Sequence, residues 1–274
     1  MYALTVWLEI RPLQNCFVPS FTSKVTRTAF AALTGVEPKL GRRASFSLLF
    51  KDSRPLFKVC DKDSKPLTVN RDERLRARFS LLVENVPEIQ LDSVVFKFSA
   101  VEFLARVQQV EVVDVSKLWL DLSRKFVVRF LTPTLLPVPG RGPLMKALGV
   151  RRRYRLLPDL PLALGLLVYD LKLQGVDLVS CTPGKVFKWG LKALAELDYR
   201  VKPVNVLYSV RGGVPVTERG FVGYVSYELL DLNSSMCDVL KRLMGYAVRF
   251  GLGKSRGIGF GHVEVNSLEA VSRM

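Results

Sequence analysis

Histidine is almost absent from this sequence, and cysteine is sparse. The 274 residues contain one histidine, His262, and four cysteines that are widely separated. No two cysteines have the Cys-x-x-Cys spacing of a zinc site, and none lies near enough to His262 in the sequence to complete one with it. We therefore expect no metal site and no cofactor. The cysteines are predicted to be small buried side chains in a reducing compartment, at Cys16, Cys60, Cys181 and Cys237.

Long apolar runs are also missing. The longest apolar stretch, Leu156–Leu171, is interrupted by two prolines, by Asp159 and by Asp170, and it is too short to span a bilayer. The N-terminus has no basic residues before its first apolar run, so it does not have the form of a secretory signal. The sequence thus predicts a cytoplasmic protein with no membrane partner.

Acidic residues are scarce relative to basic ones. Asp and Glu total 25, whereas Lys and Arg total 41, which gives a formal net charge of +16 at pH 7. A surface this positive attracts polyanions, and with a membrane disfavoured the expected partner is nucleic acid. Hydrophobic residues make up 49% of the chain, so it can bury a core in one large domain or in two of ordinary size.

The most distinctive segment is GLGKSRGIGFGHVEV, Gly251–Val265, and it fails two nucleotide-binding patterns. A P-loop needs a glycine five residues before the glycine of Gly-Lys-Ser, where this chain has Val248. A Rossmann loop needs a third glycine where this chain has Arg256 or His262, and it leads into a helix rather than a strand. An RNA-recognition signature matches only in part, because Ile258 stands at the position of the stacking aromatic residue.

The same segment has the properties of a backbone cradle. Glycines allow a ligand to approach the main chain closely and offer N–H groups to it. Lys254 and Arg256 add positive charge, and no acidic residue lies between Asp238 and Glu264. We therefore predict that the segment holds an RNA backbone. The sequence alone leaves open the alternative of a flexible helix-to-strand connector with solvated basic residues.

Helix and strand patterns favour two units of the same kind. The first half begins with a strand, then a helix capped by Ser20 and ended by Gly35, then two strands; a further helix in or near 87–97 is left open. The second half gives strand, helix, strand, strand, helix, strand, with helical stretches at about 159–174, at about 185–197 and after a cap at 233–235. We predict an α+β protein of two tandem ferredoxin-like (RRM-like) domains, residues 1–123 and 124–274, the second carrying the C-terminal glycine-rich loop.

Five segments, taken in order, resemble those of the CRISPR repeat-processing endoribonucleases of the RAMP superfamily. The glycine-rich segment is fairly specific for RAMP proteins, and the other four gain weight from their order. The segments are SFSLLFKDSRPLFKV (45–59), VVRFLTPTLLP (127–137), YRLLPDLPLALGLLVYDL (154–171), GFVGYVSYEL (220–229) and GLGKSRGIGFGHVEV (251–265). The resemblance implies RNA on a basic face or in the cleft between two ferredoxin-like domains.

The resemblance also implies metal-independent cleavage of CRISPR repeat RNA (pre-crRNA) to crRNA. The 2′-hydroxyl attacks the adjacent phosphorus and leaves a 2′,3′-cyclic phosphate and a 5′-hydroxyl. Such a reaction needs a base near the 2′-hydroxyl, an acid near the leaving 5′-oxygen, and cations around the phosphorane.

The catalytic residues implied by the resemblance are basic. Many family members carry a histidine in or just after the first helix, whereas this chain has none there. Some members rely on lysines instead. By resemblance to them, we assign Lys24 and Lys51 to acid catalysis and phosphorane stabilisation, and Arg27 to phosphate positioning. Lys24 and Arg27 lie three residues apart on one face of the predicted helix. The alternative is that this face is simply exposed to solvent. His262 is expected at the opening of the last strand, outside the catalytic set, and the general base is not identified.

Basic residues and glycines of the second half are expected to contact RNA. They are Lys185, Lys188, Arg249, Lys254, Arg256, Gly257 and Gly259. The alternating arginines of Arg74–Arg78 share one strand face and suit RNA or water equally. The run Arg151–Arg155, with Arg141 and Lys146, is predicted to be a solvated connector that could also hold an RNA stem.

The leading hypothesis is an endoribonuclease whose partner is CRISPR repeat RNA. The alternative is a non-catalytic RAMP subunit that holds guide RNA in a CRISPR effector complex, which the missing N-terminal histidine favours. Effector-complex subunits and a second copy of this chain are further partners compatible with the resemblance. A general RNA-binding protein without a CRISPR link is disfavoured by the ordered matches.

Overall fold

The structure is a computed structural model of the chain. It describes residues 1–37, 43–60, 66–90, 92–138, 154–212 and 214–268, with only the backbone at positions 210 and 211. The predicted basic connector lies mostly outside the described residues, including Arg141, Lys146 and Arg151–Arg153.

In its described residues, the first half forms a sheet with one α-helix packed against it. The helix is α1 (Ser23–Thr34), and a 3-10 turn spans Val115–Lys117. The strands are β1 (Tyr2–Pro12), β2 (Cys16–Val18), β3 (Ala44–Phe46), β4 (Phe50–Lys51), β5 (Arg54–Pro55), β6 (Leu67–Val69), β7 (Leu75–Val83), β8 (Ser93–Phe98) and β9 (Val101–Asp114). The sheet has the order β5-β4-β7-β1-β9-β8, with β3 also paired to β7, while β2 and β6 form a separate ribbon.

The second half adds a smaller sheet and three α-helices in its described residues. The helices are α2 (Leu160–Leu173), α3 (Pro183–Ala193) and α4 (Ser235–Phe250), and a 3-10 turn spans Arg256–Ile258. The strands are β10 (Lys125–Thr134), β11 (Leu136–Pro137), β12 (Tyr154–Arg155), β13 (Leu194–Arg211), β14 (Val214–Leu229) and β15 (Val263–Ser267). The sheet has the order β13-β14-β10-β15, and β11 pairs with β12.

The two sheets share one strand order. The second-half sheet has four main strands, which are β10, β13, β14 and β15 in chain order. Across the sheet the second comes first, followed by the third, the first and the fourth (β13-β14-β10-β15), and neighbours are antiparallel. In the first half, β1, the broken strand β3–β4, β7 and β9 follow that same order. Strand β8 extends the first sheet beyond β9. The mixed α/β architecture expected from the sequence is confirmed.

α1 forms because its apolar residues repeat with helical spacing. Val25, Ala29 and Leu33 are buried on one side of the helix. Gly35 ends the helix in the left-handed conformation, with φ 66°, and its N–H bonds to the carbonyl of Ala31 at 2.9 Å. The predicted stop is therefore confirmed.

The start of α1 differs from the prediction. The residue that precedes the helix is Thr22, not Ser20. The backbone before Thr22 is extended, because the carbonyl of Ser20 accepts the N–H of Lys58 at 2.7 Å and Phe21 forms an antiparallel bridge with Phe57. A pairing with a segment more than thirty positions away thus overrides the local capping preference, roughly a 1 kcal/mol effect.

A strand stands where a further helix was left open. Residues Ser93–Phe98 form β8, and the described residues between 87 and 92 contain no helical turn. Phe96 is buried and stacks on Phe103 of β9, with ring centroids 5.6 Å apart. The paired valines before Phe96 favour a strand, so local propensity and cross-strand packing agree.

Two helices of the second half begin directly after residues whose side chains cap them. Thr182 caps α3 by accepting the N–H of Lys185 at 3.2 Å, and Ser234 caps α4 as predicted. Gly251 follows the last residue of α4, also as predicted. α3 ends at Ala193, earlier than expected, because Leu194 already pairs with Leu229 as the first residue of β13.

Buried apolar residues form three clusters. One lies between α1 and the first sheet, and one lies between the helices and sheet of the second half. The third is smaller and joins the two halves. We call it the junction cluster; its buried members are Phe21, Leu48, Leu135, Val204, Val206 and Phe260.

Candidate functional site

The glycine-rich loop of the second half docks on the start of α1 in the first half. Phe260 in the loop is fully buried and stacks on Phe21, with ring centroids 4.5 Å apart. Ser23 donates its hydroxyl hydrogen to the carbonyl of Ile258 at 2.7 Å. The junction cluster therefore fixes the loop against the first turn of α1.

Thr22 ties a second segment to the same helix start. Its hydroxyl donates to the carbonyl of Leu56 at 2.7 Å and accepts the N–H of Leu49 at 2.9 Å. Leu49 and Leu56 flank the β4–β5 hairpin, which carries Lys51. The start of α1, the hairpin and the glycine-rich loop are thus held together by the buried hydroxyl groups of Thr22 and Ser23. Breaking one of these hydrogen bonds would leave a buried hydroxyl unpaired, which is costly.

The loop glycines are required by the fold of the loop itself. Gly251, Gly253, Gly259 and Gly261 all have positive φ, between 73° and 99°. A Cβ on Gly261 would lie 1.9 Å from the carbonyl oxygen of Leu252, so no other residue fits there. A Cβ on Gly259 would lie 2.8 Å from the Cβ of Ser23. At these positions the backbone of the loop therefore packs closely against other parts of the chain and is not open to a ligand.

Arg256 does not face solvent. Its side chain is 6% exposed, and its guanidinium donates to a carboxylate oxygen of Asp170 in α2 at 3.0 Å. The guanidinium also lies over the ring of Tyr246 at 5.8 Å. The charge of Arg256 is thus neutralised inside the second half, and its predicted RNA contact stays a prediction. A buried pair of this kind is a structural anchor.

Arg249 is likewise occupied by the protein. Its guanidinium makes two hydrogen bonds to the carboxylate of Glu111 in β9, at 2.6 and 3.1 Å, and a third to the carbonyl of Gly245. α4 of the second half is thereby clamped to the first sheet by a bidentate pair. Both ends of the guanidinium are therefore bound within the protein, and the predicted RNA contact of Arg249 stays a prediction.

Lys254 stays at the outer side of the loop. It is half-buried, and its ammonium donates to the hydroxyl of Tyr154 at 3.3 Å. Its backbone N–H is bound to the carbonyl of Leu135 at 2.9 Å. Lys185 and Lys188 are exposed on α3, and Gly257 is half-buried within the 3-10 turn.

Lys24 lies beside the junction cluster. Its ammonium is 5.9 Å from the ring centroid of Tyr208 in β13, and that ring packs edge-on against Phe21. Arg27, one turn further along α1, lies 6.0 Å from the ring centroid of Phe46. Both side chains are half-buried rather than fully solvated. Sequence inspection did not single out Tyr208, because a tyrosine in an alternating strand carries no local signal of a contact with α1.

Lys51 forms an ion pair with Glu73. Its ammonium donates to the Glu73 carboxylate, and this hydrogen bond raises the pKa of Lys51. Burial alone would raise the pKa of Glu73, but the bonds from Lys51 and from the N–H of Asn70 outweigh it and lower that pKa. The side chain of Lys51 is 44% exposed, so the cation remains accessible from solvent. Glu73 was not anticipated from the sequence because its partner is distant along the chain.

His262 is buried between the two halves. It is 2% exposed, its Nδ1 accepts from the guanidinium of Arg78 at 3.2 Å, and its Nε2 faces the hydroxyl of Ser45 at 3.4 Å. Burial and the positive Arg78 lower the pKa of His262 to about 3, and burial with Arg249 lowers that of Arg78 to about 10. A neutral imidazole bound on both sides is a structural group at the opening of β15.

Metal-binding clusters, membrane-spanning helices and cysteines can also be compared between the sequence and the structure. Across the described ranges, no group of three or more metal-ligating side chains is close enough to hold an ion. No helix there is long and apolar enough to cross a membrane. Cys181 and Cys237 are buried as expected, whereas Cys60 is exposed, because it lies in the chain that runs along the outer edge of β13.

Two family models match the chain, one in each half. The model of the Cas6 N-terminal domain matches residues 4–113, and that of CRISPR-associated endoribonuclease Cas6 matches residues 128–263. Together the two models match residues of both halves, including the glycine-rich loop as far as residue 263. The chain belongs to the Cas6 family of CRISPR-associated endoribonucleases.

Individual relatives agree with this assignment. The chain is 26% identical over 289 residues to CRISPR-associated endoribonuclease Cas6 1 of Saccharolobus solfataricus, with 95% of each chain covered. Its fold is similar to that of Thermus thermophilus Cas6, with a TM-score of 0.60 and 17% identity over 96% of this chain and 98% of that one. It is also similar to a Cas6 product complex, with a TM-score of 0.59 and 16% identity over 96% and 100% of the two chains.

The burial of His262 predicts a specific pH dependence of stability. Its folded pKa of about 3 lies below the value of about 6.5 in an unfolded chain, so the unfolded state binds a proton first as the pH falls. Stability should therefore decrease below about pH 6.5, by roughly 2 kcal/mol at about pH 5. Urea unfolding at neutral pH and at about pH 5 measures this loss.

The control is His262→Gln. Because the chain has one histidine, this variant should be less stable at neutral pH yet lose little further stability down to about pH 5, where carboxylates have scarcely begun to protonate. Equal pH dependence in parent and variant would contradict the buried neutral imidazole.

Gly259→Val should loosen the junction between the halves. The new side chain would meet Ser23, Leu48 and Phe21 at 3.0 Å or less, so overpacking of about 1–3 kcal/mol adds to backbone strain. Gly35→Val is the matched control, because Gly35 also has positive φ but open space around its Cβ position. Chemical denaturation should show a larger loss for Gly259→Val; equal losses would mean that strain alone matters there.

Proposed function

We propose that this protein cleaves CRISPR repeat RNA at the start of α1, using lysine side chains to stabilise the reacting phosphate. Membership of the Cas6 endoribonuclease family gives the RNA and the reaction class. The observation that carries the position is the 2.7 Å bond between Ser23 and the loop carbonyl of Ile258, since it sets the glycine-rich loop next to Lys24.

Two tandem ferredoxin-like domains form the framework of this proposal. The repeated strand order, second-third-first-fourth, supports that description for both sheets. We place the domains at residues 1–123 and 124–274. The RNA would then lie across the junction, where the first helix of one domain meets the last loop of the other.

The proposed chemistry is a transesterification. The 2′-hydroxyl attacks the adjacent phosphorus, the bond to the 5′-oxygen breaks, and that oxygen leaves with a proton. The products are a 2′,3′-cyclic phosphate and a 5′-hydroxyl. Charge develops on the phosphorane oxygens and on the leaving oxygen, so cations held nearby lower the barrier more than they stabilise the bound substrate.

Lys24 and Lys51 have different assigned parts in this reaction. The pair with Glu73 keeps Lys51 protonated, which weakens it as an acid and suits it to charge stabilisation. Among the described residues no carboxylate pairs with Lys24, so we assign its ammonium as the proton donor to the leaving oxygen. Arg27 positions a phosphate from the next turn of α1. No side chain is assigned as the general base.

Further RNA contacts are proposed on the outer surface. Lys254 extends from the loop towards Tyr154, and Lys185 and Lys188 are exposed on α3. Gly257 and Gly259 act by shaping the loop on which Lys254 stands. With a net charge of +16 on the chain, these lysines belong to a field that attracts RNA at a distance and is screened by salt.

Cleavage of repeat RNA should proceed in EDTA. The attacking group is the RNA's own 2′-hydroxyl, and the cations around the phosphorane come from side chains. Products should carry 2′,3′-cyclic phosphate and 5′-hydroxyl ends, which end-specific labelling detects. Activity that requires magnesium, or products with 3′-hydroxyl and 5′-phosphate ends, would overturn the mechanism. Tight binding without cleavage would instead indicate a guide-holding subunit.

Lys24→Ala and Lys51→Ala should each slow single-turnover cleavage at least about tenfold, a barrier increase of about 1.4 kcal/mol. RNA affinity should change much less, because each lysine contributes more to the transition state than to the bound substrate. Lys97→Ala, an exposed lysine on β8, is the matched control and should leave the rate unchanged. The assignment fails if Lys24→Ala and Lys51→Ala cleave like the control.

A further inference from the structure

Tyr208 is the extra residue of a β-bulge in the hairpin of β13 and β14. Leu207 pairs with Thr217 and Ser209 pairs with Val216, so two steps along β13 correspond to one step along β14. A bulge bends its strand, increases the local twist and redirects a side chain, and bulges are over-represented beside active sites. This bulge lies at the tyrosine whose ring is beside α1.

Backbone hydrogen bonds hold the bulge against the start of α1. Residues 57–60 run between the two, and the N–H of Lys58 bonds to the carbonyl of Ser20 at 2.7 Å. The carbonyl of Lys58 accepts the N–H of Leu207 at 3.2 Å, so the same residue is joined to both sides. One antiparallel bridge stands on each side of this segment. Because Leu207 directly precedes Tyr208, the backbone sets how far the tyrosine stands from α1.

Ring packing fixes the orientation of the Tyr208 side chain. Its ring packs edge-on against Phe21, with centroids 5.8 Å apart and an interplanar angle of 76°, a preferred arrangement of two aromatic rings. It also lies 6.2 Å from the ring of Phe260. Phe21 and Phe260 are themselves stacked and fully buried, so the half-buried tyrosine rests on a rigid support.

The ammonium of Lys24 lies over this rigidly held ring, 5.9 Å from its centroid. An aromatic face attracts a cation at distances up to about 6 Å, whereas a lysine without such a contact occupies many conformations of its four-carbon stem. We propose that Tyr208 is a positioning residue for cleavage, because its ring holds the ammonium of Lys24 at the place where the leaving oxygen takes up a proton. This inference rests on the proposed function, in which Lys24 is the proton donor.

The strength of one cation–π contact sets the size of the expected effect. Lys24 is half-buried, so the lower range of that interaction applies, and it changes the population of the productive side-chain conformation by about two- to fivefold. A loss of this size should appear in the single-turnover rate and not in RNA affinity, because Tyr208 acts through Lys24. A residue that only supported the fold would instead respond to the shape of the ring and not to its charge distribution.

Fluorination of the ring is the decisive test, because it alters the charge distribution of the ring with little change in its shape. Tyr208→Phe keeps the π-system and should cleave repeat RNA at about the parent rate. Pentafluorophenylalanine at position 208, introduced by nonsense suppression, no longer attracts a cation and should cleave about two- to fivefold more slowly than Tyr208→Phe, with unchanged RNA affinity. The same two residues at Tyr169, an exposed tyrosine on α2, are the matched control and should give equal rates. Equal rates for the two residues at position 208 would overturn the proposal.

A double-mutant cycle shows whether Tyr208 acts through Lys24. Tyr208→Leu should slow cleavage in the parent and cause no further loss in a Lys24→Ala background, with urea unfolding showing that each variant is folded. Independent losses in the two backgrounds would overturn the proposal, since the tyrosine would then act on the RNA or on the fold. The cycle also separates this inference from the function on which it rests. If Lys24→Ala cleaves like the parent, the proposed function fails; if Lys24→Ala is slow while fluorination has no effect, only the role of Tyr208 fails.

Discussion

The stacking of Phe260 on Phe21 is the contact on which the site depends. Each ring is fully buried and comes from a different half; burying such a side chain stabilises by about 1.5–3 kcal/mol, and the stacked pair adds about 0.5–1.5 kcal/mol. Because glycines with positive φ flank Phe260, the loop can turn tightly enough to bring that ring and the carbonyl of Ile258 to the first turn of α1. Lys24 follows Ser23 directly, so its position is set by the same contact.

Charge in this protein is divided between structure and surface. Arg256 and Arg249 are paired with carboxylates inside the protein, and Arg78 is bound to a neutral His262. A lone buried cation would be far less stable than one with a partner, and these contacts let the arginines hold elements of the fold together. The lysines remain outside, on α1, on the β4–β5 hairpin, on the loop and on α3. In the function we propose, RNA meets these lysines, while the arginines of the glycine-rich region stabilise the surface on which the lysines stand.

Much of the fold followed from local patterns, while the partners of several site residues lie far away in the sequence. The stop of α1 at Gly35 and the cap of α4 at Ser234 were predicted because a cap needs only a few neighbouring residues. Arg256 was taken as an RNA contact because no acid lies near it in the sequence, yet its partner Asp170 is 86 positions away. The sequence also gave no indication of the Lys51–Glu73 pair or of the contact between Lys24 and Tyr208, because the two residues in each are far apart in the chain. The order of helices and strands along the second half was predicted, and so was the family, because both depend on segments that can be read along the chain.

The central claim is that the junction cluster positions Lys24 for cleavage as well as joining the halves. A double-mutant cycle with Phe21→Leu and Phe260→Leu tests it most directly, with the free energy of unfolding and the single-turnover cleavage rate both measured. We predict a coupling of about 1 kcal/mol in stability and a clear coupling in the cleavage rate, because the rings act as a unit. Coupling in stability together with a cleavage rate that neither substitution changes would contradict the claim, since the contact would then hold the protein together without placing its catalytic lysine.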